Sequence, residues 1–450
     1  MKLKRLFSAL LPIIAGVSVL AGCNDKNTTQ TNTTMPKEGQ ELAGNITFWH
    51  SFTQGPRLEV IQQAAKEFEQ KHPKVKIKIE TFSWNDFYTK WTTGLSSGNV
   101  PDMSTALPNH VIEMINFGAL QPIGDLIDSI GRDKFAEGAI NEGTVKGQNY
   151  SIPLYSHAQV MWVRKDLLAA NNLSVPKTWD ELYHTAKALT KDGVYGLSVP
   201  MGSNDLMATR FLNLYVRSAG ESLLTKDLKV NLTSPIAQEG IKYWVKMYKE
   251  TSPKDAVNYN VLQQATLYYQ GKTAFDFNSG FQIGGVKANS PHLLEQIDAY
   301  PLPRMKADDP EVGIERSNIP MVVWKASKHP DVAKAFMKTL YDKDKYIQFL
   351  KSVPVGMLPA VKGISDEVAY KEDPVVQQFS HAEKVISDAL EKGIAIGYEH
   401  GPSVQAGILT NQHVIEKMFQ DIVVNGTDPM VAAQKAEKEL NTLFEAIVVQ

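Results

Sequence analysis

Residues 46 to 79 constrain the fold most. Ile46-Thr47-Phe48-Trp49 is a short apolar run. Val60, Ile61, Ala64, Ala65 and Phe68 then recur at the spacing of one helix face, and Val75-Lys76-Ile77-Lys78-Ile79 alternates like a strand with one wet side. Strand, helix and strand on such short links predict a parallel βαβ unit, the start of an open α/β sheet. Later helices carry start signals. Thr178-Trp179-Asp180-Glu181 is a capping box, and Ser234-Pro235 and Asp428-Pro429 set a capping side chain before a proline at the first helical position. Ala433, Ala436, Leu440, Leu443 and Ile447 form the apolar stripe of a terminal helix. Trp91, Trp179 and Trp244 read as core.

A chain of 450 residues exceeds the roughly 250–300 that one core supports, so two domains are expected. The first 23 residues stand apart from both. Lys2, Lys4 and Arg5 precede an apolar run from Leu6 to Leu20, and Leu20-Ala21-Gly22-Cys23 follows. This is the layout of an export signal, and the run falls short of the ~20 apolar residues of a membrane span. The segment is similar to a bacterial lipobox, which implies a signal peptide over 1–23 and acylation of the Cys23 thiol. Cys23 is the only cysteine. Residues 24–43 are expected to be a flexible tether, because Asn24 to Gln40 is almost free of apolar side chains. The body would then sit outside the cytoplasm, touching the membrane through the lipid alone. With no second cysteine, packed cores must hold it together, and 43% hydrophobic residues suffice for that.

Charge and motif exclude several functions. Lys plus Arg is 47 against Asp plus Glu 49, with no basic block beyond residue 5, so nucleic acid is not an expected partner. Gly271-Lys272-Thr273 has the tail of a phosphate-binding loop, but Thr266 stands where that loop needs glycine. Neither Gly-x-Ser-x-Gly nor His-Glu-x-x-His occurs, and the 10 histidines are scattered singly. No catalytic residue, metal site or cofactor is expected.

Six short motifs occur in order: Ile46-Thr47-Phe48-Trp49-His50, Phe68-Glu69-Gln70-Lys71-His72-Pro73, Val100-Pro101-Asp102, Tyr150-Ser151-Ile152-Pro153-Leu154, Arg164-Lys165-Asp166-Leu167 and Val175-Pro176-Lys177-Thr178-Trp179. Together they resemble the extracellular solute-binding proteins of bacterial ABC importers, in the group that binds maltose, other oligosaccharides and glycerol 3-phosphate. The resemblance implies a monomeric α/β protein with two lobes, the periplasmic-binding-protein-like fold, and a ligand cleft between them. By analogy, lobe one takes 44–157 and 298–328, and lobe two takes 158–297 and 329–450. It also implies capture of an oligosaccharide and delivery to the transmembrane subunits of a permease. An extracellular sugar-active enzyme is the other class, and it would need two carboxylates about 5–10 Å apart across the site; none is evident near the aromatic segments.

Ligands of open α/β sheets bind beyond the carboxyl ends of strands. Trp49, His50 and Ser51 end the first strand, Trp84 lies beyond the second, and Tyr155 and His157 precede the first crossing between lobes. Sugars offer flat apolar faces and rims of hydroxyls, so aromatic platforms beside small polar groups suit them. Asn278, Ser279, Gly280 and Phe281 occupy the place of a ligand turn in the resembled family. Gly356, Met357, Tyr398 and His400 are further cleft candidates in loops. Asp102 sits at a common family position. Duller readings stand beside these: Trp49 as strand core, and Asp102 as a cap of its own turn. A phosphate ester would need arginine or lysine forks. Residues 396–401 contain none, which leaves Arg316 as the candidate cation and favours neutral oligosaccharides over glycerol 3-phosphate.

Overall fold

The computed structural model describes residues 34–37, 39–53, 55–310 and 315–447. The signal segment, Cys23 and most of the expected tether lie outside the described residues. The described end of that tether joins the body: Leu42 is buried, Met35 packs on the core, and the Gly44 amide donates to the Lys74 carbonyl at 3.0 Å.

The predicted βαβ unit is present. Gly44–His50 pairs in parallel with Val75–Thr81, and the helix Pro56–Lys71 between them buries Ile61, Ala64, Ala65 and Phe68. Met103–Thr105 extends this parallel set on the other side of the first strand. Arg316–Val323, Ser151–Ala158 and Leu358–Pro359 then join antiparallel and complete a six-stranded sheet. A second, four-stranded sheet has the order Ile297–Tyr300, Val160–Arg164, Thr273–Asn278, Tyr195–Leu197. Each sheet is flanked by helices and belongs to one lobe of a two-lobe α/β fold.

Strand Ser151–Ala158 of the first sheet runs through Gln159 directly into Val160–Arg164 of the second. The return passes Glu315. A third segment crosses at Ile394. The three crossings touch: the Gln159 amide donates to the Glu315 carbonyl at 3.0 Å, and Glu315 bridges in parallel to Ile394. The crossings divide the chain differently from the analogy. Helix Pro330–Thr339 packs on the first strand and on Pro56–Lys71, and Leu358–Pro359 edges the first sheet, so 329–359 joins lobe one. Conversely, Ile297–Tyr300 pairs with Val160–Arg164 in the second sheet.

Local signals carry through. Thr178 and Glu181 form the reciprocal capping box, and Ser234 and Asp428 cap helices that open on proline. Trp91, Trp179 and Trp244 are buried, the last two donating to Ser218 Oγ and the Phe211 carbonyl at 2.7 Å each. In the terminal helix Pro429–Glu445, Ala433, Ala436 and Leu440 are buried, while Ile447 falls beyond its end.

Candidate functional site

The carboxyl ends of the three parallel strands deliver polar groups to the side of the first sheet that meets the second lobe. His50 is fully buried, and its Nδ1 accepts from the Phe52 amide at 3.0 Å. An accepting Nδ1 leaves the proton on Nε2, and that N–H has no partner among the described residues. Burial first, then Arg57, hold this imidazole down to about 3, so it is neutral. Ser51 Oγ beside it is likewise buried without a partner. Buried polar atoms are rarely left unpaired, and those that are point to a bound partner.

A file of rings leads from this strand end into the second lobe. His50 lies 4.9 Å from Phe52, Phe52 6.2 Å from Tyr155, Tyr155 6.3 Å from His157, and His157 6.3 Å from Phe281. Tyr155 is buried, and burial raises its phenol pKa. His157, half-buried with an unpartnered Nδ1, is held to about 3 by burial, with Arg210 and Arg57 adding to the effect. Arg57 itself, in the first turn of Pro56–Lys71, has its guanidinium carbon 5.0 Å from the Phe52 centroid and 4.8 Å from that of Phe281. It thus touches one aromatic ring from each lobe.

A pocket opens between the lobes. Trp84, Tyr88 and His110 line it from the first, and Asn204, Asp205 and His413 from the facing side. It holds about 50 Å³, well below the volume of a drug-sized ligand site. Trp84 is half-buried at the start of helix Trp84–Ser97, its Ser83 cap accepting from the Asp86 amide, and its ring lies 5.4 Å from that of Phe87. His110 and His413 each bring a buried Nδ1 without a partner. The nearby carboxylates are occupied. Asp205 accepts from the Leu206 and Val261 amides at 2.7 Å each, and Glu113 from Tyr88 Oη at 2.9 Å and Asn411 Nδ2 at 2.5 Å.

Several sequence candidates are placed elsewhere. Trp49 points to the opposite face from His50, as strand alternation requires; it packs on Phe82 under Lys90 Nζ and is 3% exposed. Asp102 precedes the third strand, at its far end, where it accepts from the Thr47 amide at 2.8 Å and Ser327 Oγ at 2.6 Å. Asn278 Oδ1 caps the Ser279 amide at 2.9 Å, and the Ser279 carbonyl accepts from Trp162 Nε1 at 2.8 Å, so both are used within the second lobe. Gly280 and Gly356 meet where the lobes touch, and Met357 is core. Tyr398 donates to the Pro108 carbonyl at 2.9 Å, tying the C-terminal segment to the first lobe. His400 is exposed. Sequence reasoning passed over Arg57, Tyr88 and His110, although Arg57 follows the first strand by only seven residues, where the strand-end rule applies.

A model of the bacterial extracellular solute-binding proteins matches residues 54–346. The chain belongs to this family. Among its relatives, the diacetylchitobiose binding protein DasA of Streptomyces coelicolor is 30% identical over 290 residues, 63% of this chain and 65% of that protein. The maltotriose-binding protein of Pyrococcus abyssi is 23% identical over 351 residues, covering 77% and 73%. In fold, this solute-binding protein is similar to the ribitol complex of an ABC transporter solute-binding protein from Agrobacterium radiobacter K84, with TM-score 0.77, 22% identity and coverage of 90% and 100%. Maltose-bound MalE3 of T. maritima gives TM-score 0.75 at 20% identity, covering 89% and 99%.

Proposed function

We propose that this solute-binding protein captures an oligosaccharide between its lobes and hands it to the transmembrane subunits of an ABC permease. It does so as a monomer outside the cytoplasm, anchored through acylated Cys23. The observation that carries the reading is the junction of the lobes itself: the half-buried Trp84 shares a pocket with partnerless nitrogens of His110 and His413, and His50, Ser51 and His157 bring further partnerless polar atoms along the ring file. An aromatic platform ringed by neutral donors and acceptors suits sugar faces and hydroxyls. The names of the relatives, binders of diacetylchitobiose and maltotriose, point the same way. The site residues we assign are His50, Ser51, Trp84, Tyr155, His157, Gly280 and Phe281, with Arg57 and His110 added.

Glycerol 3-phosphate fits less well. Arg316, the cation it would have used, is bound to Glu142 at 2.8 Å. A hydrolytic role is disfavoured because Asp205 and Glu113 spend their oxygens on structural hydrogen bonds. A thermal-shift panel of oligosaccharides, monosaccharides and glycerol phosphates tests the reading, since a ligand at 100 times its Kd stabilises by about 2.7 kcal/mol. A response to oligosaccharides without product formation on chromatography is expected. A response to glycerol phosphates alone, or release of shorter sugars, contradicts it.

A further inference from the structure

The arginines around the lobe junction are, with one exception, neutralised. Arg164 pairs with Asp166 at 2.6 Å, Arg210 with Glu315 at 2.7 Å, Arg217 with Glu399 at 3.5 Å and Arg316 with Glu142 at 2.8 Å. Arg57 enters no ion pair among the described residues. Its neighbours supply no compensating charge: the rings of Phe52 and Phe281 lie beside it, the Tyr155 phenol is within hydrogen-bonding reach, and His50 and His157 are neutral.

Arg57 is half-buried at the junction of the lobes, and a guanidinium without a counter-charge there is available to an anionic ligand. The rings of Phe52 and Phe281 flank the guanidinium at 5.0 and 4.8 Å. Its N–H donors lie in the plane, so what they leave free is an edge shaped for the two oxygens of a carboxylate. Two further features favour an anion here. The buried His50 Nε2–H is an unused donor, coupled to Arg57 closely enough for the arginine to shift its titration. Ser51 Oγ, next in the chain, is also unused.

We infer that the ligand of this cleft carries a carboxylate, as in an oligosaccharide with a uronic acid unit, and that Arg57 pairs with it edge-on between Phe52 and Phe281. One uncompensated cation matches a monoanion better than a phosphate dianion, because every other arginine at the junction already has its carboxylate. This inference rests on the oligosaccharide reading above, and it replaces the neutral sugar expected from sequence by an acidic one.

The test is calorimetric titration of the mature protein with galacturonate oligomers, the matched neutral galactose oligomers and a sugar phosphate, at low and high NaCl. Acidic oligomers should bind at least about tenfold tighter than neutral ones, with affinity falling as salt rises. Arg57→Gln should erase that preference, the acidic oligomers falling to the affinity of the neutral ones, and Arg57→Lys should restore only part of it, since lysine keeps the charge but loses the fork. The melting temperature of each variant without ligand separates lost binding from lost folding. Neutral oligomers binding as tightly as acidic ones, with Arg57→Gln changing neither, overturns the inference and leaves the oligosaccharide reading intact. Tighter binding of the sugar phosphate overturns the monoanion. Silence toward every sugar removes the oligosaccharide reading and the inference with it.

Discussion

Gly280 of the second lobe lies against Val355 of the first, so closely that a Cβ on Gly280 would stand 2.1 Å from the Val355 carbonyl oxygen. The backbone of Gly280 is at φ −65°, which alanine adopts freely. Gly280→Ala therefore strains only the meeting of the lobes. We expect the variant to fold normally, to bind ligand more weakly, and to show a larger radius of gyration by small-angle scattering at saturating ligand. An unchanged radius and affinity would show that the lobes do not need this contact to close.

Trp84 is the half-buried indole that lines the inter-lobe pocket. Trp84→Ala should weaken the sugar ligand at least about tenfold, or 1.4 kcal/mol, with little change in the melting temperature of the free protein. Trp49→Ala makes the contrast, because that ring is core and its removal should lower stability, by about 3–5 kcal/mol.

Glu416 is buried with one oxygen accepting from the Thr209 amide at 2.8 Å and the other unpartnered. Burial raises its pKa from 4.5 to about 7. A carboxyl with a raised folded-state pKa holds more protons folded than unfolded, so its contribution is greatest below 4.5 and is lost as pH rises to about 7. Glu416→Gln keeps an acceptor for Thr209 and removes the titration. Urea denaturation across this window should show the variant gaining stability over the parent as pH rises; a pH-independent difference would contradict the assignment.

At the hinge, Glu142 accepts from Arg316 at 2.8 Å and from Asn318 Nδ2 at 2.6 Å, and Asn318 Oδ1 in turn accepts from Ser156 Oγ at 2.5 Å. Arg316→Met leaves a buried carboxylate without its cation, so a loss of about 3 kcal/mol is expected by chemical denaturation. Adding Glu142→Gln should recover part of it. Equal losses in the single and double variants would show that the pair is not coupled.

The anchor is tested separately. Cys23→Ala should abolish lipid labelling and release a ligand-competent body from the membrane fraction; persistent labelling would refute the lipobox reading.

What the sequence determined by itself is local. Period-2 alternation at 75–79, the helical stripe at 60–68 and the capping side chains Thr178, Ser234 and Asp428 act within a few residues of themselves, so their consequences could be read directly. Adjacent Trp49 and His50 were both legible as strand-end residues, but their sides were not. Alternation says that they face apart, and only the packing of helix Trp84–Ser97 on one side and of helices Pro56–Lys71 and Pro330–Thr339 on the other decides what each ring meets. Asp102 misled because its partners Thr47 and Ser327 come from distant parts of the chain. The same holds for charge. Arg316 looked available and Arg57 was passed over, yet the fold brings Glu142 to Arg316 from 174 positions away and brings no carboxylate to Arg57. A cation is free or spent according to what the tertiary structure sets within about 4 Å of it, and no local pattern records that distance.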